Sequence, residues 1–121
     1  YSKIKWSQLI EMSNDQLITI GAHGYHHKIL SKLNNEDLQN EIFSSLHTLE
    51  SKLNKKINHF SYPEGQKDHY NEKIINLLKK SGIICSPTAI SGFNDPYEDP
   101  FHLKRIMVGF EKTKFPFYKC N

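Results

Sequence analysis

Two short β-branched runs, at residues 17–23 and 57–63, are separated by one long apolar stripe. Leu38, Ile42, Leu46, Leu49 and Leu53 step by 4, 4, 3 and 4 residues, which keeps them on one face of a helix. Strand, helix and strand in that order leave little choice of fold. Parallel strands need a crossover, and the crossover is right-handed. The pattern then repeats. Ile74, Leu77 and Leu78 mark a second inward helix face, and a third apolar run follows at residues 83–90. A loop with two prolines, "SGFNDPYEDPF", leads to a fourth run at 103–110. Ahead of all this, "WSQLIEMSN" reads as a short helix with Ser7 as N-cap and Trp6, Leu9, Ile10 and Met12 as its apolar face. Asn34 or Asn35 caps the long helix, with Glu36 and Asp37 at the positive end of its dipole. Gly82 stands at the C-cap of the later one. The expected class is α/β with mainly parallel strands, either a small open sheet or part of a barrel. The 121 residues suffice for one core, and no composition break marks a boundary, so residues 1–121 read as a single domain.

The charge pattern narrows the partners. The net charge is +3, but the basic residues are scattered as Lys55 and Lys56, Lys79 and Lys80, Lys112 and Lys114. A nucleic-acid surface clusters its charge and interleaves aromatics, so no nucleic-acid partner is expected. No apolar run approaches the roughly 20 residues of a membrane span, and none is expected. Cys85 and Cys120 are too few for a disulfide framework. Cys85 lies in an apolar run and reads as a buried thiol, Cys120 as a bystander. There is no signal-peptide pattern, and a first residue of Tyr1 suggests a processed, trimmed or partial chain.

In parallel α/β folds the chemistry gathers at the C-terminal ends of the strands. "AHGYHH" follows the first run, "YPEG" the second, and "SPTAISGFND" surrounds the end of the third. His23 and His27 are four residues apart, so a helical turn would bring both rings to one side, where they could share an ion. By itself such a pair is either half of a metal site or a solvated polar loop. His26 would point elsewhere. "FSYPEG" is either an ordinary turn or a tight loop in which Pro63 and Gly65 aim backbone N–H groups into a site, as an oxyanion hole needs.

Together these segments resemble a known family. "ITIGAHGYHHKILSKL", a helix, "INHFSYPEG" and "NEKIINLLKKSG" look like the polysaccharide deacetylase family, the NodB-homology domain of carbohydrate esterase family four. The lead-in "IKWSQLIEMSNDQLITIG" is similar to that family's helix before its His motif, and "DPFHLKRIMV" to its Leu-x-Arg-Ile strand. The resemblance implies a partial or distorted (β/α) barrel. It also implies removal of N-acetyl groups from amino-sugar polysaccharides, a hydrolysis of carbon–nitrogen, non-peptide bonds. In the family's H-S/T-x-x-H motif the two histidines bind zinc. His23 and His27 hold those places, for zinc or another divalent transition metal. Tyr62, Pro63 and Gly65 would shape the substrate groove, and the backbone N–H of Glu64 would be the oxyanion donor. Tyr25 would serve packing. The implied partner is an acetylated amino-sugar glycan, and the implied setting is the cell envelope or the exterior.

Departures accompany the match. Gly24 stands where the family usually has Ser or Thr, Lys28 where Pro is common, Glu64 where an aromatic is common, and Ser61 where one variant has Arg. The Asp-Asp motif, source of a third ligand and the general base, does not occur, nor does the closing Leu-x-x-His with the general acid. Asp68, Asp95, His59, His69 and His102 are candidates for a substitute ligand, and each reads better as a turn or surface residue. The chain is thus expected to be the middle of a deacetylase domain, weak or inactive alone. The alternative is a non-catalytic remnant that binds metal or glycan. A partial barrel leaves sheet edges unpaired, to be covered by a homodimer or by a different closure of the sheet.

Overall fold

The computed structural model describes residues 3–106. Helix α2, Asn35–Leu53, is the longest element. Asn34 caps it, its side chain accepting from the Asp37 amide at 2.9 Å, which satisfies one of the helix's orphan donors. Leu38, Ile42, Leu46 and Leu53 are buried as the stripe requires, while Leu49 is half-buried. The same face also buries two polar residues, Glu41 and Ser45. The helix ends on Asn54 in the left-handed region, φ 51°.

Helix α3, Glu72–Lys80, is capped by Asn71, whose side chain accepts from the Ile74 amide. It buries Ile74, Ile75 and Leu78. Ile75 thus takes an inward place that the spacing assigned to Leu77, which is half-buried. Ser81 is the C-cap, and Gly82 lies one residue beyond it with φ 85°.

Helix α1, Trp6–Ser13, departs from expectation. Its N-cap is Lys5, not Ser7, and the Lys5 amide donates to Gln8 Oε1 at 2.8 Å. None of its residues is buried. Trp6, Ile10 and Met12 are exposed, and Leu9 alone packs against the core. The helix lies on α2, where the Lys52 ammonium sits 5.8 Å from the Trp6 ring centre.

Among the described residues the expected strands shrink to three isolated parallel bridges, Ala22 with Phe60, His59 with Cys85, and Ser91 with Arg105. The first run shows why. Its start is drawn into a turn, with the Leu17 amide on Asp15 Oδ1 and the Ile18 amide on the Asp15 carbonyl. Only its end reaches a neighbour. Ala22 N donates to His59 O and Ser61 N to Ala22 O; Ile84 N donates to Asn58 O and Phe60 N to Cys85 O. Residues 58–61 are therefore central, flanked on either side in parallel. The fourth run begins with Thr88 N on Leu103 O and Arg105 N on Ile90 O; its residues from 107 on lie outside the described ones. The parallel direction brings the ends of the central segment and its two neighbours to one edge, above a core of Phe60, Tyr62, Leu30, Ile42 and Ile74.

Candidate functional site

Two loops leave that edge side by side. The first, residues 23–28, carries His23 and His27 with ring centres 4.7 Å apart and planes at 72°. His23 Nδ1 lies 2.8 Å from the Ser61 carbonyl. A carbonyl only accepts, so Nδ1 is the donor, and in the neutral ring Nε2 keeps its lone pair. That is how histidine ligands are commonly fixed, with the second nitrogen donating to a backbone oxygen. His27 has φ 58°, a costly conformation for a residue with a side chain. Its Nδ1 is 4.0 Å from the Glu64 carboxylate.

The second loop is residues 62–65. Tyr62 is fully buried, stacked on Tyr70 at 4.3 Å, and its hydroxyl donates to the Phe101 carbonyl at 3.1 Å. Burial pushes that hydroxyl well above the usual tyrosine value, so it stays a donor. Pro63 is buried too. Glu64 sits at φ 60° in a three-residue turn that the Gly65 amide closes onto the Pro63 carbonyl at 2.7 Å. Among the described residues no acceptor takes the Glu64 N–H. Gly65 also has φ 60°, and a Cβ there would lie 2.7 Å from the Ala89 amide nitrogen. Glycine is required at this point.

Between the loops is a cleft of about 420 Å³ lined by His23, His27, Ser61, Tyr62, Glu64 and Arg105. The structure brings together both expected metal ligands and the expected oxyanion donor. It adds Arg105, which the sequence reading passed over. The Arg105 guanidinium is held by the Thr88 carbonyl, and the residue lies within the segment likened to a Leu-x-Arg-Ile strand. Its placement in the cleft follows from the pairing of residues 88–91 with 103–105, which periodicity does not reveal.

Glu41 was also passed over. It is only 3% exposed, yet charged. Its Oε1 accepts from the His26 amide at 2.5 Å and the Lys28 amide at 3.4 Å, and its Oε2 from the His26 ring at 3.0 Å. Burial raises its pKa, but the hydrogen bonds from His26 and Lys28 and the charge of His26 outweigh that, and the net shift is downward. The carboxylate is ionised. The available sequence signal was a charged residue three positions after Leu38 and next to Ile42, on the inward face of α2.

The substitute ligands do not join the pair. His59 bonds Asn58, His69 accepts from the Gln66 amide, His102 meets the Tyr70 hydroxyl, Asp68 pairs with His69, and the Asp95 carbonyl closes a turn onto Glu98. Among the described residues no group of three or more His, Cys, Asp or Glu is arranged to hold a metal. The donor chemistry fits zinc as two of its ligands. Cys85 is half-buried, and burial raises its thiol pKa.

The family model for polysaccharide deacetylase matches residues 1–85. The chain belongs to the polysaccharide deacetylase family. Solved deacetylases share the fold. Streptococcus pyogenes deacetylase PplD in complex with acetate is similar at a TM-score of 0.76 and 20% identity, over 87% of this chain and 45% of that one. The deacetylase domain of Bordetella bronchiseptica BpsB gives 0.74 and 17%, over 85% and 48%. A de-N-acetylase from Aggregatibacter actinomycetemcomitans gives 0.72 and 19%, over 96% and 52%. The chain spans about half the length of these structures. No curated protein matches the sequence. Within this deacetylase frame, Gly24 in the place of Ser or Thr has a local reason. Its φ is 77°, and a Cβ would meet Glu41 Oε1 at 3.0 Å and Pro63 Cγ at 3.2 Å. Among the described residues no helix is long and apolar enough to cross a membrane.

Proposed function

We propose that this chain is part of a (β/α)-barrel deacetylase that removes N-acetyl groups from amino-sugar glycans of the cell envelope, with His23 and His27 as two ligands of a zinc ion. The observation that carries the reading is the shared cleft in which His23, its Nδ1–H donated to Ser61 O, stands 4.7 Å from His27 across the ring centres. An amide is a poor electrophile, and zinc would supply Lewis acidity toward its carbonyl. The chain's own groups would do the rest of what they can. The Ser61 carbonyl orients the His23 ring. The Glu64 N–H, set by the strained turn beside the pair, is a donor for developing negative charge on the acetamide oxygen. Pro63 and Gly65 hold that turn, and Tyr62 anchors it in the core. The general base and acid come from motifs this chain does not carry, and each such group typically supplies about 10²–10⁴-fold. The isolated chain is therefore expected to turn over slowly or not at all.

The test is calorimetric titration of zinc into the chain and into a His23→Ala, His27→Ala double variant near neutral pH. Binding that disappears in the double variant supports the metal reading. Equal, weak binding in both overturns it and leaves a fold without the chemistry.

A further inference from the structure

We infer that Glu41 is a positioning residue for the metal-ligand loop, its buried carboxylate fixing the backbone on both sides of His27. The inference rests on the reading of His23 and His27 as metal ligands, but its geometry stands by itself. Residue 27 is held at φ 58° although it is not glycine. Such a conformation persists only where its surroundings over-determine it. Here one side chain supplies the hydrogen bonds to the backbone on either side of residue 27. Glu41 Oε1 accepts the amides of His26 and Lys28, the residues immediately before and after His27. Its Oε2 accepts the His26 ring N–H at 3.0 Å, which turns that ring away from the cleft. Its Oε1 also fills the space beside Gly24, 3.0 Å from where a Cβ would stand. The carboxylate thus binds residues 26 and 28 and crowds the side-chain position of residue 24, leaving His23 and His27 to face the cleft.

The carrier is rigid. Glu41 rides on α2 between Leu38 and Ile42, both buried. A carboxylate so buried costs free energy unless its oxygens are engaged. Here each oxygen has a donor, and hydrogen bonds to a charged acceptor are about twice as strong as neutral ones. A residue that served stability alone would need no such convergence on two backbone amides and one ring of a single loop.

The experiment compares the full chain with Glu41→Leu and Glu41→Gln. Zinc affinity is measured by calorimetry, and amide hydrogen exchange is followed by NMR without metal. Glu41→Leu is expected to weaken zinc by about tenfold or more, the usual effect of losing a partner behind a ligand. Exchange protection should vanish at the His26 and Lys28 amides and persist in the second half of α2. Glu41→Gln keeps an acceptor for the His26 amide and should recover most of the affinity and the protection. A folded Glu41→Leu chain with unchanged zinc affinity and loop protection overturns the inference, as does a Gln variant no better than Leu. Should Glu41→Leu fail to fold, His26→Ala decides, because that side chain is 62% exposed and its loss spares the core. It should weaken zinc about threefold, the worth of one modest hydrogen bond, in a chain that still unfolds cooperatively. Unchanged affinity there overturns the inference. If the wild-type chain shows no zinc binding dependent on His23 and His27, the metal reading fails, and the exchange data still decide whether Glu41 sets the loop.

Discussion

The two loops that border the cleft are held in opposite ways. The His23–Lys28 loop is exposed and is gripped from below by one carboxylate, Glu41. The Tyr62–Gly65 loop, all but Glu64, is sunk into the core, gripped by packing and by backbone. Tyr62 stacks on Tyr70, Pro63 is buried, and Gly65 lies against the Ala89 amide. The first offers imidazoles and the second a backbone N–H. Side-chain ligands need an exposed loop whose course is set from behind. A backbone donor needs the chain itself to be placed, and close packing of neighbours does that most rigidly.

Substituting alanine for glycine in each loop probes the contrast most strongly. Gly65→Ala puts a Cβ 2.7 Å from a backbone nitrogen at positive φ. It should cost about 3 kcal/mol, since neither neighbour can move aside. Gly24→Ala meets two side-chain atoms, a carboxylate oxygen at 3.0 Å and a proline ring carbon at 3.2 Å, which need give by only a few tenths of an ångström. It should cost about 1–2 kcal/mol. Urea midpoints of the two variants check the ranking, and a reversed order would break the comparison.

Tyr62→Phe tests the packed loop more gently. It removes the hydroxyl that donates to the Phe101 carbonyl and leaves that oxygen buried without its partner. The expected cost is about 1–2 kcal/mol with zinc affinity unchanged, because the stack on Tyr70 survives. The same pair of measurements, an unfolding midpoint and a zinc titration, decides it.

The smallest expected effect separates the loops by pH. The Glu41 carboxyl lies below its ordinary value of 4.5 in the folded chain. A depressed folded pKa means its contribution is fully present above the unfolded value and is lost as pH falls through the folded one. Amide exchange at His26 and Lys28, corrected for its intrinsic pH dependence, should therefore accelerate only below about pH 4.5. Gly65, whose amide bonds a neutral carbonyl, should show no such step.

Part of this was legible in advance. The stripe from Leu38 to Leu53 and the Asn34 cap are periodic, local signals, and they return as α2. His23 and His27 are legible as two imidazoles four residues apart, and the structure brings both to one cleft. Helix α1 was misjudged at its cap and its burial, since a short apolar spacing does not say which face finds a neighbour. The run from Leu17 was overextended because Asp15 captures its first amides in a turn. Glu41 and Arg105 went unseen as functional. Their roles depend on which loop or segment lies beside them, and that relation is long-range.

By itself, the sequence determined the order of the helices, the parallel direction of the segments, most of the inward faces of α2 and α3, and the identity of the two imidazoles that share the cleft. These follow from periodicity and side-chain chemistry, which act over a few residues. Only the tertiary structure decided that Ser61 O orients His23, that Glu41 clamps the amides flanking His27, that Arg105 enters the cleft, and that Gly65 must lack a side chain. Each is a contact between residues at least thirteen apart in the chain, in which a buried polar group or a tight backbone approach selects its partner.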